Sequence, residues 1–502
     1  MKDFKVLRET FSVCPVCLTR IEAKVVEKDG KVLIRKRCSK HGSFNDVYWN
    51  EAELYHRAED YSQKISGPER FRKHSSDNCP YDCGLNVCSL HASGTVMAVV
   101  DVTNRCDLKC PICFANSPNV HGLYEPTKET IRRMLKFLAK QDPPPLAVMF
   151  SGGEPTMRDD IVEIVKMAHD MKFMTLLATN GLRIVQNPEI LKRLKDAGLN
   201  IVYLQFDGLT DLPYEKLRGA KILQKKLELV KLCRDCDMEV ILVPTLHGGV
   251  NDNEIGDMIK FAAENVDIVR GIIFQPMSFT GRTGSFASRK NRVCNSLLAK
   301  RIKEQTGGKI DEKDLFPISL MVPPLKVMNT FLARPWPLFT PTLYCGLWNW
   351  VLVSRQNNKV FTPISHFLNF DAFMSYLSTM NRKNSRWRIG KIGVYLRLLF
   401  AVFRSLDWRK VQEEAGLINT MKMMIKIHTN PSYDSLGDIR RRLLLIGCMA
   451  FMDAYNFDVE RAKRCVIHYV TPAPQLIPFC VYNMLYRQKI EQQYCQLRVP
   501  IP

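Results

Sequence analysis

The run Thr95-Val-Met-Ala-Val-Val-Asp-Val-Thr-Asn-Arg-Cys-Asp-Leu-Lys-Cys-Pro-Ile-Cys-Phe-Ala115 decides how this chain folds. Its first part, Thr95–Val102, is an apolar, β-branched stretch that reads as a strand buried on both faces. A cysteine loop follows at once, with Cys106, Cys110 and Cys113 in the spacing C-x₃-C-x₂-C. Iron–sulfur clusters are ordinarily held by four thiolates. A 4Fe–4S cluster on three leaves one iron open to a substrate or cofactor, as a catalytic zinc keeps an open position. On spacing alone, a structural zinc knuckle with a distant fourth ligand is the plainer alternative.

Reading outward, the strand pattern repeats. Apolar runs recur at Leu146–Phe150, Met174–Ala178, Ile201–Phe206, Val240–Val243 and Ile272–Phe274, separated by amphipathic stretches such as Thr127–Lys140, Asp159–Met171 and Asn253–Asn265. Six βα units with buried parallel strands predict an α/β fold, a partial (βα)6 TIM-like barrel. Active sites of parallel βα folds lie at the C-terminal ends of the strands. Cys106 follows the first strand there, and Ser151-Gly152-Gly153-Glu154-Pro155 follows the second. Thr179 and Asn180 follow the third, Gln205 and Asp207 the fourth, and Gln275-Pro276 the sixth. The glycine turn lets backbone approach a ligand closely, and Glu154 can accept hydrogen bonds from an ammonium. Thr179, Asn180, Gln205 and Asp207 suit ribose hydroxyls or a carboxylate, although an Asp before Gly is often only a turn former.

Four regions follow from this frame: a metal-binding lobe at 1–60, an auxiliary cluster segment at 61–94, the barrel at 95–290 and a mixed C-terminal region at 291–502. In the first, Cys14-Pro-Val-Cys17 and Cys38-Ser-Lys-His41 flank a β-like stretch at Lys31–Lys36, a zinc-ribbon or rubredoxin-like pattern for one Zn or Fe. So small a lobe draws folding energy from its metal. Cys79, Cys83 and Cys88 read as a second cluster site, with a zinc loop as the alternative. In the last region Cys345, Cys448, Cys465 and Cys480 are candidate ligands, whereas Cys233, Cys236, Cys294 and Cys495 read as small buried hydrophobes. Ile389–Lys410 has the pattern of a basic amphipathic helix, preceded by Arg382, Lys383, Arg386, Trp387 and Arg388. It suits a membrane interface or a lipid-lined groove; a core helix with a solvated edge is the alternative.

Composition sets the limits. The chain has 502 residues, 46% hydrophobic and 25% charged, which fits a multidomain globular protein. Its 17 cysteines cluster at short spacings, and no secretory pattern opens the chain, so a reducing, anaerobic cytoplasm is expected. Pro335–Ser354 and Tyr469–Tyr486 are uncharged and long enough to span a bilayer, yet each holds three prolines and polar residues; neither reads as a transmembrane helix. A net charge of +21, from 72 Lys+Arg against 51 Asp+Glu, favours anionic partners without choosing among them. A basic zinc module for nucleic acid accounts for charge and cysteines but leaves six βα units unexplained, so nucleic acid is not the expected partner.

The cysteine triplet, with Ile112 before its last member, and Gly152-Gly153-Glu154-Pro155 resemble the radical S-adenosylmethionine (SAM) superfamily across 95–290. That resemblance implies SAM on the open iron and its cleavage to a 5′-deoxyadenosyl radical, the protein supplying orientation and electrostatics. A closer resemblance spans nearly the whole chain. Cys14-Pro-Val-Cys17, Cys38 with His41-Gly42, Cys79-Pro-Tyr-Asp-Cys83-Gly84, Gln275-Pro-Met-Ser-Phe-Thr-Gly-Arg282, Cys448-Met-Ala-Phe-Met-Asp453, Arg464-Cys465-Val-Ile-His468 and Ile477-Pro-Phe-Cys480 are similar to the archaeal tetraether lipid synthase group. One departure is that the group's loop brings its next cysteine sooner than Cys88. The resemblance implies coupling of isoprenoid chain ends into biphytanyl chains, with one or two auxiliary 4Fe–4S clusters. It also implies a low-potential electron donor, an isoprenoid lipid substrate and a peripheral contact with a membrane. Members are also described as pterin methyltransferases, so methylation of a 7,8-dihydropterin in methanopterin biosynthesis is the alternative. An auxiliary cluster on Cys448, Cys465 and Cys480, with Cys345 as a fourth ligand, would trap a carbon radical at sulfur during coupling.

Overall fold

Each buried apolar run needs cover on both faces: alternating helices cover the outer one, and the C-terminal region and a central cavity meet the inner one. The structure, a computed structural model, describes residues 4–62, 78–83, 90–118, 122–329, 335–354, 360–384, 391–414 and 441–495. Strands β1 (Lys5–Val13), β2 (Arg20–Lys28), β3 (Lys31–Cys38) and β4 (Gly42–Trp49) form an antiparallel meander ahead of a helix at Ala52–Asp60. Only β3 was legible as a strand in the sequence, from its Val32-Leu33-Ile34 run.

The second sheet carries the rest. β5 (Met97–Thr103), β6 (Ala147–Gly152), β7 (Met174–Thr179), β8 (Ile201–Gln205), β9 (Glu239–Val243) and β11 (Val269–Pro276) lie side by side and parallel in that order. The short β10 (Thr245–Leu246) pairs with β11. These are the six expected strands, and helices at Lys128–Ala139, Ile161–Asp170 and Ile255–Glu264 match the expected amphipathic stretches to within two residues. Thr127 caps the first of these by accepting the Thr130 N–H at 3.2 Å.

The barrel is partial, and the C-terminal region completes its edges. β12 (Phe316–Pro317), β13 (Leu347–Val353) and β14 (Phe361–Pro363) join through β15 (Leu443–Cys448), which runs parallel to β11. At the opposite edge β16 (Ile467–Val470) runs parallel to β5 and pairs with β17 (Leu476–Pro478). The expected boundary at 290/291 therefore does not divide the sheet. Val99, Met149 and Leu176 on the inner barrel face pack with Tyr469, Ile477 and Tyr482 of the C-terminal region.

The basic helix is shorter than its pattern predicts, running Lys391–Ser405 with a second helix at Trp408–Glu414. Arg386, Trp387, Arg388, Ile389 and Gly390 lie outside the described residues. Among the described residues no helix is long and apolar enough to cross a membrane; Pro335–Ser354 contributes β13, and Tyr469–Tyr486 contributes β17 and short helical turns.

Candidate active site and metal centre

The cysteine loop leaves β5 at the C-terminal end of the sheet and is fixed by backbone before any side chain enters. Gly153 N–H donates to Thr103 O and Glu154 N–H to Arg105 O, both at 2.7 Å. A Cβ on Gly153 would lie 2.2 Å from Arg105 O, and one on Gly152, at φ +128°, 2.1 Å from Thr103 O. Both glycines are therefore required by the close approach of two protein strands, besides facing the cavity. From the other side, Arg282 donates through Nε to Cys110 O and through its guanidinium to Ser117 O, each at 2.6 Å. Its backbone forms an antiparallel bridge with Cys113. Gly281, at φ +70°, clears the Phe114 and Cys113 carbonyls.

Cys106, Cys110 and Cys113 line a cavity of about 390 Å³ with Ser151, Gly152, Gly153, Thr179, Asn180 and Gln205. Burial raises the Cys106 and Cys110 thiols, and the Arg218 guanidinium opposes the shift at Cys110. Glu154 and Asp207 sit behind that wall, 1% and 0% exposed. Glu154 Oε1 accepts from Thr156 N at 3.0 Å and Thr179 Oγ1 at 2.8 Å, and Oε2 from Asn180 N at 2.7 Å. Burial raises its carboxyl above the usual range while those donors oppose it. Pro155 is buried beside it.

Asp207, expected among the ligand-binding groups, is tied instead to Arg218, at 2.7 Å through Nε and 2.8 Å through a terminal nitrogen, and to Thr245 N at 3.0 Å. Arg218 reaches Ile112 O at 3.2 Å, inside the cysteine loop, and lines the cavity. Burial works against its charge, but Asp207 outweighs that and holds its pKa above the usual value. Lys226, 1% exposed, bonds Asn180 O and donates to Gln205 Oε1 at 2.8 Å. Arg218 and Lys226 were missed in the sequence because lone basic residues on helices carry no spacing signal.

The ribbon's four candidate ligands converge. β1–β2 and β3–β4 turn at the same end of the meander, bringing the Cys14, Cys17, Cys38 and His41 donor atoms within 4.8 Å of one another. Cys17 and Cys38 sulfurs are 3.9 Å apart. A tetrahedral zinc with Zn–S bonds of about 2.3 Å sets sulfurs about 3.8 Å apart, so the set fits one ion. Among the described residues no other group of three or more His, Cys, Asp or Glu side chains meets that distance.

Cys345, Cys448, Cys465 and Cys480 line a second cavity of about 360 Å³. Burial pushes the Cys465 thiol up to about 12 and Cys480 to about 11. The two cavities share Ile273, Met449, Phe451, Ile467 and Phe479, and Phe451 stacks on Phe479 at a centroid distance of 4.5 Å. Cys79 is buried and Cys83 half-buried; Cys88 lies outside the described residues.

With this geometry in place, the similarities to known proteins are informative. A radical SAM superfamily profile matches residues 100–262, and a profile described as the HMPTM N-terminal zinc ribbon domain matches 6–50. The 7,8-dihydro-6-hydroxymethylpterin dimethyltransferase of Methanocaldococcus jannaschii is 40% identical over 489 residues, 97% of this chain and 95% of that protein. This chain belongs to the radical SAM superfamily, in the same family as that relative. The GTP 3′,8-cyclase of Nautilia profundicola is 32% identical over 180 residues, covering 35% of this chain and 55% of the cyclase. Streptococcus suis SuiB bound to S-adenosylmethionine matches 43% of this chain and 47% of its own at 20% identity, with a TM-score of 0.36.

This radical SAM enzyme uses a 4Fe–4S cluster and SAM, and its ribbon carries a metal site. Bound together, cluster and SAM supply hydrogen-abstracting radical chemistry at unactivated carbon; the protein positions them and excludes competing reactions. The expectation of isoprenoid chain coupling is overturned by the relative that matches almost the whole chain, a pterin dimethyltransferase.

Proposed function

We propose that this enzyme methylates a reduced pterin of the 7,8-dihydro-6-hydroxymethylpterin class, one SAM yielding the radical that removes a hydrogen and a second giving up the methyl that replaces it. The observation that carries this reading is the 40% identity to the pterin dimethyltransferase along 97% of the chain. In this reading Cys106, Cys110 and Cys113 hold the cluster that binds SAM. Gly152, Gly153, Thr179, Asn180 and Gln205 form the wall against which SAM is oriented. Glu154, Pro155 and Asp207 act from behind that wall, fixing Thr179, Asn180 and Arg218.

The cavity suits a flat heterocycle. Its walls are mostly aliphatic and aromatic, as small-molecule sites usually are, with a few convergent polar groups. Phe114, Phe451 and Phe479 offer ring faces, Phe114 and Phe479 with centroids 5.7 Å apart. Gln275 Nε2 and the Tyr203 hydroxyl, 3.0 Å apart, offer an amide and a phenol to a heterocycle's edge. Cys345, Cys448, Cys465 and Cys480 hold an auxiliary 4Fe–4S cluster in the adjoining cavity, and an external low-potential donor supplies electrons.

The test is anaerobic incubation of reconstituted enzyme with a reductant, the 7,8-dihydropterin and SAM carrying a CD₃ group. Mass spectrometry should find deuterated methyl groups on the pterin, and none in a Cys110→Ala variant. Deoxyadenosine release indifferent to the pterin, with no methylated pterin, would refute the reading.

A further inference from the structure

The second cavity holds a cation that makes no ion pair with a carboxylate among the described residues. Arg461, on the short helix Val459–Lys463, is 5% exposed and lines the cavity with the four cysteines. Its guanidinium donates to Ala450 O at 2.6 Å and lies over the Tyr48 ring at 6.0 Å, while its Nε–H has no hydrogen-bond partner. Among the described residues it makes no ion pair with a carboxylate. Asp458, three residues earlier, is fully engaged: Arg8 pairs with it, and Thr10 Oγ1 and the Tyr48 hydroxyl donate to it at 2.8 Å each. Burial works against its charge, while the neighbouring Cys345, Tyr48, Cys480 and Asp458 favour it.

A buried charge is tolerated when an opposite charge meets it, and removing one partner of such a pair is the costly case. Among the described residues every other buried arginine has its carboxylate: Arg158 has Asp160, Arg270 has Glu239, Arg292 has Asp46 and Asp453, and Arg487 has Asp101 and Glu491, as the nearly buried Arg218 has Asp207. Arg461 departs from that rule at the wall where Cys345, Cys448, Cys465 and Cys480 gather.

We propose that Arg461 is the fixed counter-charge of the four-cysteine cavity, raising the reduction potential of the anionic cluster held there. This rests on the reading of Cys345, Cys448, Cys465 and Cys480 as an auxiliary cluster site. Nearby charge and hydrogen bonds to sulfur are established levers on cluster potential. A fixed cation favours the reduced, more negative form, so an electron from an external low-potential donor settles there more readily. Arg464 lines the same cavity but is half-buried and spends its guanidinium on Thr340 O and Pro341 O. It is the weaker lever.

The test compares Arg461→Gln, Arg461→Lys and Arg464→Gln in the full chain, reconstituted anaerobically, with ribbon metal measured as a check on folding. The cavity's electron paramagnetic resonance signal is the one lost in Cys465→Ser/Cys480→Ser. At fixed poise, Arg461→Gln should lower its reduced-to-oxidised ratio at least tenfold, about 59 mV for one electron. Arg461→Lys should stay near wild type, and Arg464→Gln should shift less. An Arg461→Gln protein that keeps its ribbon metal but fails to load the cluster, beside a normal Arg461→Lys protein, also supports the charge role. An unchanged potential at full iron content overturns the proposal, as does failure of both Arg461 variants to load. If wild type has no signal that depends on Cys465 and Cys480, the cluster reading itself falls, and this inference with it.

Discussion

Gly153→Ala tests whether the glycine turn holds the cysteine loop or merely connects strand to helix. The added methyl carbon would lie 2.2 Å from Arg105 O, 2.8 Å from Arg105 C and 3.0 Å from Asn104 C. All three are backbone atoms, so no side chain can swing aside. Ordinary carbon contacts sit near about 3.5 Å, so backbone must retreat by roughly 1 Å. The retreat pulls apart the Gly153–Thr103 and Glu154–Arg105 hydrogen bonds, each 2.7 Å long. Overpacking costs about 1–3 kcal/mol, and two lost hydrogen bonds cost about 1 kcal/mol each. The sum, about 3–5 kcal/mol, lowers the population of the correctly held loop by roughly a hundredfold or more. Cys106 directly follows Arg105, so the loss falls on the triad. The assay is the SAM-dependent change in the cluster's resonance signal after reconstitution, with ribbon metal as the folding check. Gly249→Ala is the matched control: its φ is +79°, but nothing lies within 4 Å of the new carbon. It should cost about 1–2 kcal/mol of backbone strain and leave the triad intact. A Gly153→Ala protein with wild-type SAM-dependent signal would refute the argument.

Arg218→Gln leaves Asp207 buried without its cation, which should destabilise by about 3–5 kcal/mol. Asp207→Asn added to it should restore part of that in chemical denaturation, and a double variant no better than the single would count against the pairing. Lys226, whose amine burial depresses to about 8, sheds its proton in the folded state while the unfolded chain keeps one to about pH 10.4. The unfolded state then binds more protons, so this group's contribution rises with pH between those limits. The Lys226→Met variant should lack that rise, seen as a shallower dependence of unfolding midpoint on pH; parallel curves would sink the assignment. Cys17→Ser or chelation should remove the ribbon's metal and expose residues 6–50 to protease first, since a lobe this small depends on its ion. Metal loss with no change in cleavage would show the lobe is held otherwise.

The strands were legible because parallel strands buried on both faces leave continuous apolar runs, as at Thr95–Val102 and Ile201–Phe206. β15 and β16 were not, because a sequence does not show which edge a late strand joins, and both joined edges that the barrel had left open. The ribbon ligands were readable from spacing, whereas the triad's spacing left a zinc knuckle open until the glycine turn one strand on was read with it. Asp207 was misplaced for a physical reason: an acid at a strand end reads as a ligand, and its partner Arg218 lies eleven positions on, with no pattern to announce it. The substrate was the least legible feature. The motifs that signal radical chemistry sit on the cysteine loop, whereas the cavity walls facing it, Tyr203, Gln275, Phe451 and Phe479, come from four distant segments.

The same dispersion explains why the ribbon is not a detachable lobe. Lys36 donates to Ser12 Oγ at 2.9 Å and to Ala454 O at 2.6 Å, bolting two ribbon strands to the segment between β15 and β16. Asp46 on β4 pairs with Arg292, which pairs with Asp453. Asp453 in turn accepts from Phe279 N at 2.9 Å, three residues before the Arg282 that clamps Cys110 and Cys113. On its other flank the segment carries Phe451 into both cavities and Arg461 into the second. A chain of buried charges and short hydrogen bonds thus runs from the metal knuckles to both cysteine sites. Its members are satisfied chiefly by one another, so loosening one end leaves buried charge at the next, which a low-dielectric interior penalises heavily. A metal in the ribbon would therefore stabilise cavity walls that lie elsewhere in the molecule.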